Sequence, residues 1–348
     1  MAINVAQEIK KLLMKIWLLI FFNLLTAMLW AQDPHFSQFF SSPMTLNPAF
    51  TGKFDGVVRA AANYRNQWPT INRAYVTGTA SVDFPILTNH IPYTDTWGVG
   101  VMGYTDKSAA GAVSFDYFSL STAYHKGLDE DGLHQLGAGF QVTYSNMSIN
   151  TSKLTFEDQL TPLGFTGVTK ETFSGLTLKS NYFDVNAGLL YTASTSDKNN
   201  MYVGVSLYHI NRPKQVFTQN SNYDLYPRAT FHAGGYFPAS PIINVHLSGL
   251  YSTQAGAHEA LLGGAFQFIA DDADPDKPTS VYGGAWVRFG DALIPYIGLE
   301  YGDFRVGATY DINTSSLKTA SESRGGIEIS LIYIKHAAES KGLPCPKF

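Results

Sequence analysis

Charge is the scarcest property of this 348-residue chain, only 15% of which is Asp, Glu, Lys or Arg. A typical soluble domain carries about 25%. Cysteine is nearly absent: Cys345 stands alone, which excludes a disulfide-stapled scaffold. Beyond the N-terminus no run reaches the roughly 20 apolar residues of a membrane-crossing helix, so a polytopic helical protein is excluded. The basic clusters that nucleic acids require are missing. So are a His-x-x-x-His pair, a Gly-x-Ser-x-Gly elbow and a phosphate loop. The expectation is therefore no metal, no cofactor, no nucleic acid and no enzyme. What is abundant is Gly (31), Tyr (20) and Phe (23), with 14% aromatics, too many for a disordered chain of low charge. A β-rich protein remains, either a large extracellular sandwich or a membrane barrel.

Lys10, Lys11 and Lys15 precede an apolar stretch from Ile16 to Leu29 that ends in Trp30-Ala31. A basic start, an apolar core and a small residue form a secretory signal, expected to span residues 1–31. Met14 offers a second possible start, and no cysteine follows the core, so a lipoprotein is not expected. Taking three lysines and Glu8 from 24 basic and 28 acidic residues leaves 21 and 27.

From Val57 onward, stretches of alternating polarity are separated by turn-rich gaps. Leu136, Ala138, Phe140, Val142 and Tyr144 oppose Gly137, Gly139, Gln141, Thr143 and Ser145. Phe304, Val306, Ala308 and Tyr310 oppose Arg305, Gly307, Thr309 and Asp311 in the same way. Side chains alternate across a strand, so each stretch has one apolar and one small or polar face. Those polar faces hold Gly, Ser, Thr, Asn and Gln and few Lys or Glu, which suits a barrel lumen. Aromatics recur near strand ends, including Tyr64, Tyr104, Tyr124, Tyr144, Tyr191, Tyr208, Tyr236, Tyr251 and Tyr310, as barrel girdles require.

The pattern predicts an all-β, transmembrane antiparallel barrel of about fourteen strands over residues 57–335. Strands are expected to begin near Val57, Ala74, Thr96, Val113, His134, Asn181, Asn200, Pro227, Ile242, His258, Ser280, Ala292, Asp303 and Arg324. With both termini periplasmic, the long gaps 148–179, 211–226 and 312–323 fall outside, the usual asymmetry. The long inward connections 85–95 and 270–279 are places for a periplasmic partner to touch. Asp83, Asp116, His246, Arg288, Arg305 and Glu328 sit on polar faces. Charge facing lipid is costly, so they are placed in the lumen. Whether the lumen is open or plugged stays undecided.

Residues 32–56 lack alternation. Pro34, Pro43 and Pro48 exclude a regular central strand, and Asp33-Pro34 and Asn47-Pro48 read as turn starts. Irregular backbone at membrane depth must be shielded by protein. The segment is therefore expected to fold into or across the periplasmic mouth with its Phe side chains on the barrel interior, the alternative being a free arm that orders on a partner. Residues 336–348, with Pro344, Cys345 and Pro346, are expected to form a periplasmic cap. Asp272, Asp274 and Asp276 resemble the start of a calcium loop but lack its glycine and closing glutamate, so a solvated turn is expected.

The block Asp33-Pro34-His35-Phe36-Ser37-Gln38, followed by Asn47-Pro48-Ala49-Phe50-Thr51-Gly52, resembles the opening of the mature PorP/SprF family. Asn63 to Trp68, Tyr310 to Leu317 and the ending Pro344-Cys345-Pro346 fit the same family. The resemblance implies an outer-membrane component of the type IX secretion and gliding machinery of Bacteroidetes. It further implies translocon partners, a periplasmic peptidoglycan-binding lipoprotein, and secreted cargo or adhesins with their own C-terminal domains, at a surface bathed in outer-membrane lipid. A passive porin or hydrophobic-solute channel is the alternative function.

Overall fold

The computed structural model describes residues 33, 35–71, 75–195, 199–218, 223–271 and 279–336. The signal region, Pro34, the acidic turn at Asp272–Asp276 and Pro344, Cys345 and Pro346 lie outside them.

Fourteen strands form one closed antiparallel barrel. They are β1 (Val58–Gln67), β2 (Tyr75–Ile86), β3 (Thr96–Ser108), β4 (Val113–Gly127), β5 (His134–Asn150), β6 (Thr177–Ala193) and β7 (Asn200–Tyr208). There follow β8 (Arg228–Ser240), β9 (Ile243–Gln254), β10 (Ala257–Asp271), β11 (Thr279–Arg288), β12 (Ala292–Tyr301), β13 (Phe304–Asn313) and β14 (Arg324–Lys335). Each pairs with its neighbours in sequence, and β1 closes the ring on β14 from Val58 opposite Lys335 to Gln67 opposite Gly326. Closure removes the edges that an open sheet would expose. The β12–β13 ladder skips Ile294 and Pro295, as expected where proline has no N–H to donate.

The faces are inverted relative to a soluble protein. On β5, Leu136 and Phe140 are 48% and 47% exposed while Gln141 is 1% exposed. That is the outward-apolar, inward-polar arrangement of a membrane barrel. Strands of 9 to 17 residues meet or exceed the 9–11 residues or so of a tilted membrane-spanning strand.

Two expectations about facing are corrected. Tyr104, Tyr208 and Tyr236 are buried and point inward, so they belong to the lumen and not to a girdle. Asp116 is on the outward face of β4, where Thr105 and Ser114 donate to its carboxylate at 2.6 and 2.7 Å. Phe115 and Tyr117 take the inward positions there, packing on Tyr104 at 6.3 and 4.3 Å. Asp116 is only three residues into its strand, near the rim, where an outward charge is cheap.

The connections 151–176, 209–227 and 314–323 all leave one rim of the barrel, which we call the long-loop rim. Residues 53–57 lead into β1 at the opposite rim, where β14 also ends. Asp33, however, meets His209, Gln254 and Arg228, all at the long-loop rim. The first and last described residues thus lie at opposite rims.

Candidate functional site

Residues 33–57 run the length of the lumen as three short helical turns, Phe39–Ser41, Pro43–Leu46 and Pro48–Phe50, joined by bends. Asn47 caps the last of them by accepting the Ala49 N–H at 2.8 Å, with Pro48 at the first helical position, where no N–H is needed. Phe36, Phe39 and Phe50 are buried. Phe40 packs on Trp286 and Tyr296 at 4.8 and 5.5 Å between ring centres, and Phe50 packs on Tyr202 at 5.6 Å. The segment is a plug with an aromatic core of its own.

Its turns satisfy part of its backbone internally, and the wall takes up more: Ser206 and Tyr208 donate to the Leu46 and Met44 carbonyls at 2.7 and 2.9 Å. Asn47 Nδ2 donates to the carbonyls of Leu189 and Val205 at 3.0 and 3.2 Å. This approach needs a bare backbone opposite: a Cβ on Gly188 would lie 1.8 Å from Asn47 Oδ1. Gly52, at φ +72°, passes Gly98 so closely that a Cβ would lie 2.4 Å from the Gly98 Cα. Only glycine fits both requirements at position 52.

Charged groups anchor the plug in three places. At the rim where β1 begins, Arg59 forks onto Asp83 with bonds of 3.0 and 2.7 Å and also donates to the Phe50 carbonyl at 2.9 Å. Asp83 accepts the Gly52 N–H at 2.7 Å, and Lys53 donates to Gln135.

The second anchor lies on the seam that closes the barrel. Arg65 on β1 faces Glu328 on β14 in register, reaching it at 3.2 Å and Asp311 on β13 at 2.8 Å. Arg288 joins from β11, 2.9 Å from Asp311 and 2.8 Å from Glu259. Into this cluster the plug inserts Ser37 and Gln38. Their N–H groups donate to Glu328 at 2.7 and 3.0 Å, and the Ser37 hydroxyl donates to Asp311 at 2.7 Å while accepting from Arg288. His35 lies 3.2 Å from Glu259. Burial, assisted by the Arg288 and Arg65 charges, pushes its imidazole down to about 4, so it sits there neutral.

The third anchor holds Asp33. One carboxylate oxygen lies 2.7 Å from His209 Nε2 and 3.5 Å from Arg228, and the other accepts from Gln254 at 3.1 Å. The other ring nitrogen of His209 meets Asp184 at 2.8 Å. Burial acts against a charged ring, but the Asp33 and Asp184 carboxylates outweigh it and raise His209 to about 9. An imidazolium donating from both nitrogens fits two carboxylates. His209 adopts φ +58° to reach them, a conformation costly for a non-glycine residue.

Of the lumen charges expected from the sequence, Asp83, Arg288 and Glu328 hold the plug. Arg305 is inward too, but pairs with Glu300 at 3.0 Å and lies over Tyr282 at 5.2 Å, away from these anchors. His246 lines the lumen, against Tyr236 and Gln267. Of the N-terminal signature, His35, Phe36, Ser37, Gln38, Asn47, Pro48, Ala49, Phe50 and Thr51 are all inside the barrel, and Gly52 joins them to Asp83. Sequence reasoning missed Arg59, Arg65, Asp184, His209, Arg228, Glu259 and Asp311. The available signal was the cost of charge on a lipid face: Arg59 and Arg65 are six apart on one strand face and each needs an acidic partner inside.

A fourteen-strand antiparallel barrel with an apolar outer face, filled by its own N-terminal segment, is a membrane barrel of the plugged class. Residues 29–333 match the family described as type IX secretion system membrane protein PorP/SprF, and the chain belongs to that family. No curated protein matches. Among solved structures, the chain is similar to the toluene transporter TbuX of Ralstonia pickettii, with TM-score 0.48 and 9% identity over 85% of this chain and 93% of that one. It is also similar to a FadL homologue of Pseudomonas aeruginosa, with TM-score 0.46 and 11% identity over 85% and 94%.

Proposed function

We propose that this chain works in the outer membrane as a closed scaffold of the type IX secretion and gliding machinery, and not as an open conduit. The observation that carries this reading is the plug. Its aromatic core and three charged anchors occupy the lumen. The cavities beside it, at Leu250 and Gln254 and at Tyr236 and His246, hold about 60 and 50 Å³, room for a few waters each. With the route through the barrel filled, function falls to the surfaces at its two rims. The long-loop rim faces outward and docks or anchors secreted cargo or an adhesin C-terminal domain. The opposite rim, with Leu87–Asp95, faces the periplasm and meets the peptidoglycan-binding lipoprotein and other translocon components. Purification in mild detergent followed by mass spectrometry, paired with single-channel recording, tests this. Co-purifying type IX components and a closed barrel are expected. A steady solute-sized conductance with no co-purifying machinery would refute it and favour the passive channel.

A further inference from the structure

At the long-loop rim the plug ends in a carboxylate held by a site with more capacity than that carboxylate uses. Asp33 engages His209, Arg228 and Gln254. Yet the buried Arg228 Nε and the hydroxyl of Tyr104, itself 6% exposed, have no hydrogen-bond partner. Both groups are on the wall of a cavity beside Asp33 that also takes in Tyr117 and Asn186. A second cavity adjoins the other side of Asp33 and Arg228, reaching Phe36 and Leu250. The Asp33–Arg228 contact is the partition between the two. The Arg228 guanidinium is fixed by stacking over Tyr208 at 4.4 Å, so it stays in place whether or not Asp33 does. His209 is likewise held by Asp184 and by its own backbone at φ +58°. The receiving groups are rigid parts of the wall, whereas Asp33 lies outside any helix or strand.

We propose that this rim site is a carboxylate-binding site in which Asp33 is an internal stand-in, displaced by a carboxylate of an incoming peptide. The ligand class follows from the surroundings. Arg228 is paired with Asp33 at 3.5 Å while Asp184 faces His209, so loss of Asp33 leaves the guanidinium charge facing the cavity. The rings of Tyr104 and Tyr117, stacked 4.3 Å apart, line the cavity beside Asp33, and the unpartnered Tyr104 hydroxyl and Arg228 Nε are the donors there for a carboxylate oxygen. The carboxylate can be a chain terminus or an Asp or Glu side chain. The inference adds a ligand class to the docking role proposed above and rests on that role for the identity of the peptide alone.

The test is calorimetric titration of the purified full-length barrel in detergent with three tripeptide probes. These are acetyl-Ala-Ala-Ala with a free carboxylate, acetyl-Ala-Asp-Ala-amide, and acetyl-Ala-Asn-Ala-amide. A tethered occupant competes at an effective concentration of roughly millimolar. Asp33→Ala should therefore tighten binding of a carboxylate probe by about tenfold or more relative to the unaltered protein, with the Asn probe inert. Adding Arg228→Gln should abolish the gain, and whichever carboxylate probe binds better identifies terminus or side chain. No carboxylate-dependent binding, or equal affinity with and without Asp33, overturns the proposal. Should Asp33→Ala lose the heat-shifted gel mobility of a folded barrel, Asp33→Asn keeps the shape, and a gain below about threefold there is equally fatal. A negative titration leaves the co-purification result standing, and a positive one without co-purifying machinery removes the docking role alone.

Discussion

Glu328→Gln asks whether charge holds the plug on the closing seam. The carboxylate accepts from the Ser37 and Gln38 amides at 2.7 and 3.0 Å and from Arg65 at 3.2 Å. Hydrogen bonds to a charged group contribute about 1.5–3 kcal/mol each, and removing one member of a buried ion pair costs about 3–5 kcal/mol. A glutamine keeps one acceptor oxygen and turns an NH₂ toward the remaining donor, so one plug amide loses its partner. The expected weakening of docking around Ser37 is about 3 kcal/mol, an increase of roughly 150-fold in local opening. Hydrogen exchange on the purified barrel reads this directly. The Ser37 and Gln38 amides should exchange about a hundred times faster, while the Gly52 amide, held separately by Asp83 at 2.7 Å, should stay near its original rate. Exchange at Ser37 within about threefold of the unaltered protein would refute the charge argument. An equal rise at Gly52 would refute the separation of the anchors.

Two further outcomes follow from other parts of the molecule. Docking of the Asp33 end should depend on pH with a defined sign. His209 is raised to about 9, so its contribution is complete below its free value near 6.5 and is lost as pH rises through 9. For Asp33, burial alone would raise the carboxyl, but His209 and Arg228 hold it well below the usual range. Its contribution is therefore present above the free value near 4 and is lost in acid. Tyr104, Tyr117, Asp184 and Tyr208 also face this cluster. Proteolysis near His35 should be slowest between about pH 4 and 6.5 and should speed up toward pH 9; a flat profile over that rise would contradict the assignment of an imidazolium. On the opposite face of the wall, Leu120 is 56% exposed in mid-strand. Leu120→Arg should weaken folding into lipid by about 2–4 kcal/mol if this surface meets hydrocarbon, measured by urea titration in vesicles, and an unchanged midpoint would count against a membrane-facing wall.

The wall was largely legible because the membrane imposes period-two alternation on every spanning strand. Thirteen of the fourteen expected starts fall within a residue of the observed ones. The exception is β6, which begins at Thr177 and not Asn181. Thr177 to Ser180 do not alternate on their own; they are drawn into the sheet by pairing with Met147 to Asn150 of the long β5. The aromatic-rich strands misled for a related reason. Tyr104, Phe115 and Tyr117 put apolar rings on an inward face, so apolar side and lipid side no longer coincide. The plug was legible as irregular, shielded and Phe-rich from its prolines and its lack of alternation. Its path was not, because its contacts join residues such as Asn47 and Leu189 or Ser37 and Glu328, and no local pattern encodes which strand a distant bend will meet.

The same contacts impose an order on assembly. Arg59 and Asp83 lie on β1 and β2, close in sequence to Phe50 and Gly52, so the anchor at that rim needs little more than the first hairpin and a short loop. The seam anchor needs Asp311 and Glu328, contributed by the last two strands, and Arg65 from the first. It is complete only when β1 has paired with β14. Ser37 therefore gains its full set of partners, Arg65 included, only when the barrel has closed, and it then bridges strands at the beginning and end of the sheet. In an antiparallel barrel the pairing of first and last strands is the contact of greatest sequence separation and so carries the largest loop-closure cost. By inserting Ser37 across that pair, the plug stabilises the closed ring at the point where reopening would begin. The scarcity of charge in this chain fits that arrangement: Arg65, Asp311 and Glu328 are concentrated where closure is decided.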